Sequence, residues 1–123
     1  DACASAAGAG HAEALMWLHE NGCLWDEEAC ANAAAAGHTE IVMWLRKNGC
    51  PWDERACANA AGGGHLATLV WLRESGCPWD EMTSEWAAAE NRSEILAWLQ
   101  AHNAPGFDDA IEDMDQLQQH GTP

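Results

Sequence analysis

The sequence predicts an all-α protein, a helical-repeat solenoid of about four helix-turn-helix units closed by a C-terminal capping helix. Three observations carry this reading. Trp17, Trp44, Trp71 and Trp98 stand 27 residues apart, and Leu18, Leu45, Leu72 and Leu99 follow them. Ala6, Ala33, Ala60 and Ala87 keep the same register, as do Gly10-His11, Gly37-His38 and Gly64-His65. The connection from one unit to the next is too short for a strand pair. Two short helices cannot bury their apolar faces alone, and stacking neighbours completes the core.

The units read as Asp26–Trp52, Asp53–Trp79 and Asp80–Gly106, preceded by Asp1–Trp25, which lacks its first two residues. Asp26, Asp53 and Asp80 suit helix N-caps, and the Glu after each favours the positive helix start. The first helix then runs through small residues such as Cys30-Ala31-Asn32-Ala33-Ala34. Gly37 and Gly64 are stops of the C′ type. The second helix spans Thr39 to Lys47, with Ile41, Val42, Trp44 and Leu45 on one face. Asn48-Gly49 ends it, and Pro51 prevents its continuation.

The fourth unit departs from the pattern as a terminal unit should. It has Asn91-Arg92 for Gly-His, Ala104 and Gly106 for Cys and Trp, and Trp86 where its neighbours have Asn32 and Asn59. The array is thus assigned to 1–106. Phe107, Ile111, Met114 and Leu117 recur at helical spacing, which predicts an acidic amphipathic capping helix over 107–117 and a frayed tail over 118–123. The first unit keeps its motif and starts within a helix, so further units are expected before Asp1. The chain opens with neither Met nor a signal-peptide pattern and is expected to be a processed product or a fragment.

Composition narrows the function. The 123 residues carry 20 acidic and 5 basic side chains, a net charge of −15. That excludes binding to nucleic acid or to anionic membranes, which need Lys/Arg patches. Hydrophobic residues reach 48%, too many for a disordered acidic tail. No apolar run approaches the ~20 residues of a membrane span.

The unit resembles the ankyrin repeat. The likeness rests on Ala33-Ala34-x-x-Gly37-His38-Thr39-Glu40-Ile41-Val42, repeated at Ala60-Ala61-x-x-Gly64-His65-Leu66 and Ala6-Ala7-x-x-Gly10-His11. The usual ankyrin period is ~33 with a Thr-Pro-Leu-His opening, whereas this chain opens with Asp-Glu-x-x-Cys. Its Gly-Cys-Pro-Trp-Asp units are similar to the short, fingerless ankyrin-like repeats of protists, algae and oomycetes. The resemblance implies a non-enzymatic protein-binding scaffold. It also implies a concave groove lined by the first helices, floored by Gly8-Ala9, Ala35-Ala36, Gly62-Gly63 and Ala89-Glu90.

Candidate sites follow. Equivalent residues in stacked units lie ~8–10 Å apart, and Zn–S bonds are ~2.3 Å. Cys23, Cys50 and Cys77 therefore share no ion, nor do His11, His38 and His65. No metal and no cofactor are expected. The histidines are read as structural, hydrogen-bonding neighbouring turns. A disulfide needs Cα atoms within ~7 Å, so only a loop Cys against a first-helix Cys could be bridged. The cysteines are expected as free thiols in an intracellular, reducing compartment, the cytoplasm above others. Trp17, Trp44, Trp71 and Trp98 are read as core, and Trp25, Trp52 and Trp79 as wedges between units. No nucleophile-base set, phosphate loop or dinucleotide fingerprint supports catalysis, since Gly62-Gly63-Gly64 lies at a helix end.

What remains is a surface. Glu27, Glu28, Glu54, Arg55, Glu81 and Met82 at the helix starts, with Trp86 and Glu90, form the candidate partner-binding set. The expected function is a protein-protein interaction module taking a basic protein segment in an acidic groove. The alternatives are a spacer or assembly subunit of a larger complex, or a targeting segment of a larger multidomain protein. Thiol titration of denatured, unreduced protein should find close to all 6 cysteines free, and two or fewer would refute the reducing compartment.

Overall fold

Asp26, Asp53 and Asp80 each sit in extended backbone and turn a carboxylate onto the helix that follows. Their Oδ1 atoms accept from the backbone N–H groups of Glu28, Arg55 and Met82 at 2.9, 3.0 and 3.0 Å. This satisfies donors that the first helical turn leaves open. The computed structural model describes residues 2–111, and every regular element among them is helical. Each unit contributes two helices: α1 (Ala2–Gly8) and α2 (Ala12–Glu20), α3 (Glu27–Ala35) and α4 (Thr39–Lys47), α5 (Glu54–Gly62) and α6 (Leu66–Glu74), α7 (Glu81–Ala89) and α8 (Ser93–Ala101).

Helix ends are as regular as helix starts. Gly37 (φ 75°) ends α3, with its N–H on the Ala34 carbonyl at 3.1 Å and that of His38 on Ala33 at 2.9 Å. This is a Schellman motif, and it needs a left-handed residue. Gly49 (φ 84°) ends α4 in the same way, placing the Cys50 N–H on the Leu45 carbonyl at 2.9 Å. The last unit has Asn91 (φ 57°) and Asn103 (φ 53°) at these two positions. Asn is a side chain that tolerates this conformation, so the irregular unit keeps both turns.

The first helices α1, α3, α5 and α7 pack directly on one another in chain order, and each also packs on its own second helix. Ala29, Cys30, Ala33 and Ala34 in α3, and Cys57, Ala58, Ala60 and Ala61 in α5, are fully buried. Small side chains let these backbones approach. Asn32 donates to the Ala4 carbonyl at 3.3 Å and Asn59 to the Ala31 carbonyl at 3.1 Å, linking each first helix to the one before. The second helices supply the bulk of the core through Leu15, Val42, Leu45, Leu69, Leu72, Ile95 and Leu99. Residues 107–111 are helical, with Ala110 buried and Phe107 and Ile111 packed on the core. The rest of the expected capping helix, 112–117, and the tail 118–123 lie outside the described residues.

The tryptophans correct one expectation. Trp44, Trp71 and Trp98 are only half-buried, and Trp17 is 61% exposed. Trp44, Trp71 and Trp98 form a surface layer in which each is covered by the loop Trp of the preceding unit. Trp25 meets Trp44 edge-on at 5.6 Å between centroids, Trp52 meets Trp71 at 6.1 Å and Trp79 meets Trp98 at 6.0 Å. Each loop Trp is capped in turn from its own second helix. His19 stacks on Trp25 at 3.9 Å, and the guanidinium groups of Arg46 and Arg73 lie 4.0 and 4.2 Å from the Trp52 and Trp79 rings. Trp17 has no preceding loop Trp among the described residues, and that leaves it open. Urea denaturation should therefore separate two chemically identical changes. Trp71→Ala should cost about 2–3 kcal/mol and Trp17→Ala less than ~1 kcal/mol, because only the first empties a packed layer.

Candidate functional site

The sixth residue of each first helix from α3 onward leans over a small residue of the helix before. Asn32 stands over Gly8, where a Cβ would meet its own Cβ at 3.2 Å. In α7 the corresponding residue is Trp86, whose ring lies over Gly62, 3.2 Å from where a Cβ would be. No further first helix among the described residues covers Trp86, and it remains 44% exposed. Beside it, a Cβ on Gly63 would sit 2.7 Å from the Ala35 carbonyl oxygen, so the floor is as low as the backbone allows. The result is an open pocket of about 440 Å³ lined by Ala35, Asn59, Gly62, Gly63, Trp86, Ala89 and Glu90.

The predicted set divides between the two ends of the first helices. Trp86 and Glu90 meet in the pocket, on the floor residues expected for the groove. Glu27, Glu28, Glu54, Arg55, Glu81 and Met82 lie at the helix starts, about one nine-residue helix, ~12 Å, away. Glu28 and Glu81 are exposed, while Glu27, Glu54 and Met82 are half-buried. Arg55 turns back on its own cap, with Nη2 3.1 Å from Asp53 Oδ2 and Nε 3.1 Å from the same oxygen. Its guanidinium thus sits on Asp53, beside Glu54 in the acidic row. Glu81 lies against the end of its unit, since a Cβ on Gly106 would fall 2.6 Å from its own Cβ. Asn59 escaped sequence reasoning as a lining residue, although its register with Trp86 was visible.

The histidines act by packing. A Cβ on Gly10 would meet His38 Nε2 at 2.8 Å, and one on Gly37 would meet His65 Nδ1 at 2.5 Å. Each ring thus closes over the left-handed glycine of the preceding unit, in place of the expected hydrogen bond to a neighbouring turn. Arg92 takes over in the last unit, lying on Gly64 and donating from Nε to the Gly62 carbonyl at 3.0 Å. That bond ties Arg92 to a residue of the pocket floor. His11 is exposed.

Comparison with known protein families and with curated proteins finds no match to this chain. Among the described residues no helix is long and apolar enough to cross a membrane. The tight floor generates a prediction. Gly63→Ala should destabilise the fold by about 1–3 kcal/mol in urea denaturation, because the methyl group meets a backbone carbonyl and not the end of a flexible side chain.

Proposed function

We propose that the chain is a non-enzymatic, ankyrin-like solenoid scaffold whose first-helix face binds a basic segment of a protein partner. The pocket carries this reading. It joins a half-exposed indole, a floor of backbone and methyl groups, and the exposed carboxylate of Glu90. A Lys or Arg side chain matches all three, with its stem on the floor, its cation over Trp86 and its charge toward Glu90. At the far end of the same helices, Glu27, Glu54 and Glu81 repeat once per unit, so further cations along an extended segment would find partners. The net charge of −15 adds a field that speeds the encounter.

Titration calorimetry at ~0.15 M salt with a Lys/Arg-rich peptide selected against the protein tests this. Trp86→Ala should weaken binding about tenfold, the loss of roughly one cation–π contact and its packing. Changing Glu27, Glu54 and Glu81 together to Gln should cost more affinity than the same change at Glu20, Glu40 and Glu74, which lie on second helices. Equal losses from the two triples, with no effect of Trp86→Ala, would leave only nonspecific acidity and refute the site.

A further inference from the structure

We infer that the six cysteines form three dithiol pairs, Cys3 with Cys23, Cys30 with Cys50 and Cys57 with Cys77, each of which closes to a disulfide in the presence of a small disulfide oxidant. All six are free thiols in the structure. The Sγ atoms of Cys3 and Cys23 are 2.6 Å apart, and those of Cys30 and Cys50 are 3.8 Å apart. Cys57 and Cys77 hold the same register positions as Cys30 and Cys50, 27 residues on, and Cys57 is the neighbour that most raises the Cys77 thiol. Each pair joins a first helix to the loop that leaves the same unit.

The backbone holds both members in place. Cys30 and Cys57 lie within α3 and α5. The loop cysteines occupy the last position of a Schellman turn, with the N–H groups of Cys23, Cys50 and Cys77 on the Leu18, Leu45 and Leu72 carbonyls, each at 2.9 Å. Units also carry both cysteines or neither. In the fourth unit the two positions are Ser84 and Ala104, and the Ser84 hydroxyl donates to the Pro105 carbonyl at 2.9 Å instead. Among the described residues no third His, Cys, Asp or Glu joins a pair in a metal-sized cluster.

The resting state is the dithiol. Burial and the Cys23 contact push the Cys3 thiol up to about 11. The hydrogen bond from the partner cysteine, followed by burial, raises Cys50 and Cys77 well above the usual thiol range. Protonated thiols are poor nucleophiles, and five of the six are fully buried. Cys23 is the half-exposed exception. Oxidation therefore starts there. The Cys23 thiolate attacks one sulfur of oxidised glutathione, the S–S bond breaks and one glutathione thiolate leaves. Cys3 then loses its proton and attacks Cys23 Sγ, displacing the second glutathione. The pair gives up two electrons and two protons, and one oxidised glutathione becomes two reduced ones. The other two pairs close later, when local opening admits the oxidant.

The test is a non-reducing peptide map of the folded chain during incubation with oxidised glutathione. The expected products are bridges Cys3–Cys23, Cys30–Cys50 and Cys57–Cys77, with Cys3–Cys23 first and a higher melting temperature at the end. Cys23→Ser should abolish the first bridge and leave the other two. Stable glutathione adducts on Cys23 without a bridge, bridges between units or between molecules, or six free thiols after prolonged exposure would each overturn the pairing.

Discussion

The close approach of the small-residue first helices is the constraint on which everything else in this protein depends. Ala, Cys and Gly at the contact let α1, α3, α5 and α7 lie directly on one another. At that distance an Asn side chain spans the gap to the preceding carbonyl, and a glycine's missing Cβ becomes the seat of the next unit's His or Trp. Larger side chains on this face would push the helices apart. The inter-unit hydrogen bonds, the His–Gly contacts and the closure of the core would then be lost together.

Bulk is supplied elsewhere. The first helices contribute little apolar area, so the second helices bring in Leu, Ile and Val from one side. The aromatic layer then covers the other edge of those helices. Its members are half-buried, and its strength comes from alternating rings and cations: Arg46 on Trp52, Trp52 on Trp71, Arg73 on Trp79, Trp79 on Trp98. Arg46 also donates to the Cys50 carbonyl at 2.7 Å, which ties the layer to the turn that carries the loop cysteine. Core, aromatic layer and thiol pairs therefore meet at the loop that follows each second helix.

The candidate groove grows from the same geometry at the point where it stops repeating. Within the array each first helix is covered by the next, and an Asn fills the step between them. Trp86 stands in the step where no further first helix follows among the described residues, so its ring stays open over a floor of glycine. The proposed cationic side chain would use the uncovered indole, the low backbone walls and the carboxylate of this surface together. The surface is poorly suited to a flat apolar partner, because the apolar area is small and one-sided. On the proposed reading, the separation of this pocket from the glutamate row by one helix length means that a single segment reaching both would lie extended along the helices.

Much of this was legible in the residues themselves. Caps, stops and helix lengths follow from local chemistry: Asp before Glu starts a helix, a left-handed Gly or Asn ends it, and the 27-residue register repeats both. Part of the pocket lining was legible too, because Ala35, Gly62, Gly63 and Ala89 are small residues at the ends of first helices, a place without side-chain bulk. The exposure of the tryptophans was not. Trp17 and Trp71 occupy the same place in their units, and only the presence of a preceding loop Trp distinguishes them, so periodicity treats them as equals. Nor was the choice of partner for each cysteine. The spacing allowed a loop Cys to meet a first-helix Cys, but only the folded turn, set by a backbone hydrogen bond to a leucine carbonyl, brings the two sulfurs of one unit together. Local hydrogen bonding is written in short stretches of sequence. Burial and pairing belong to the neighbours, and neighbours exist only in three dimensions.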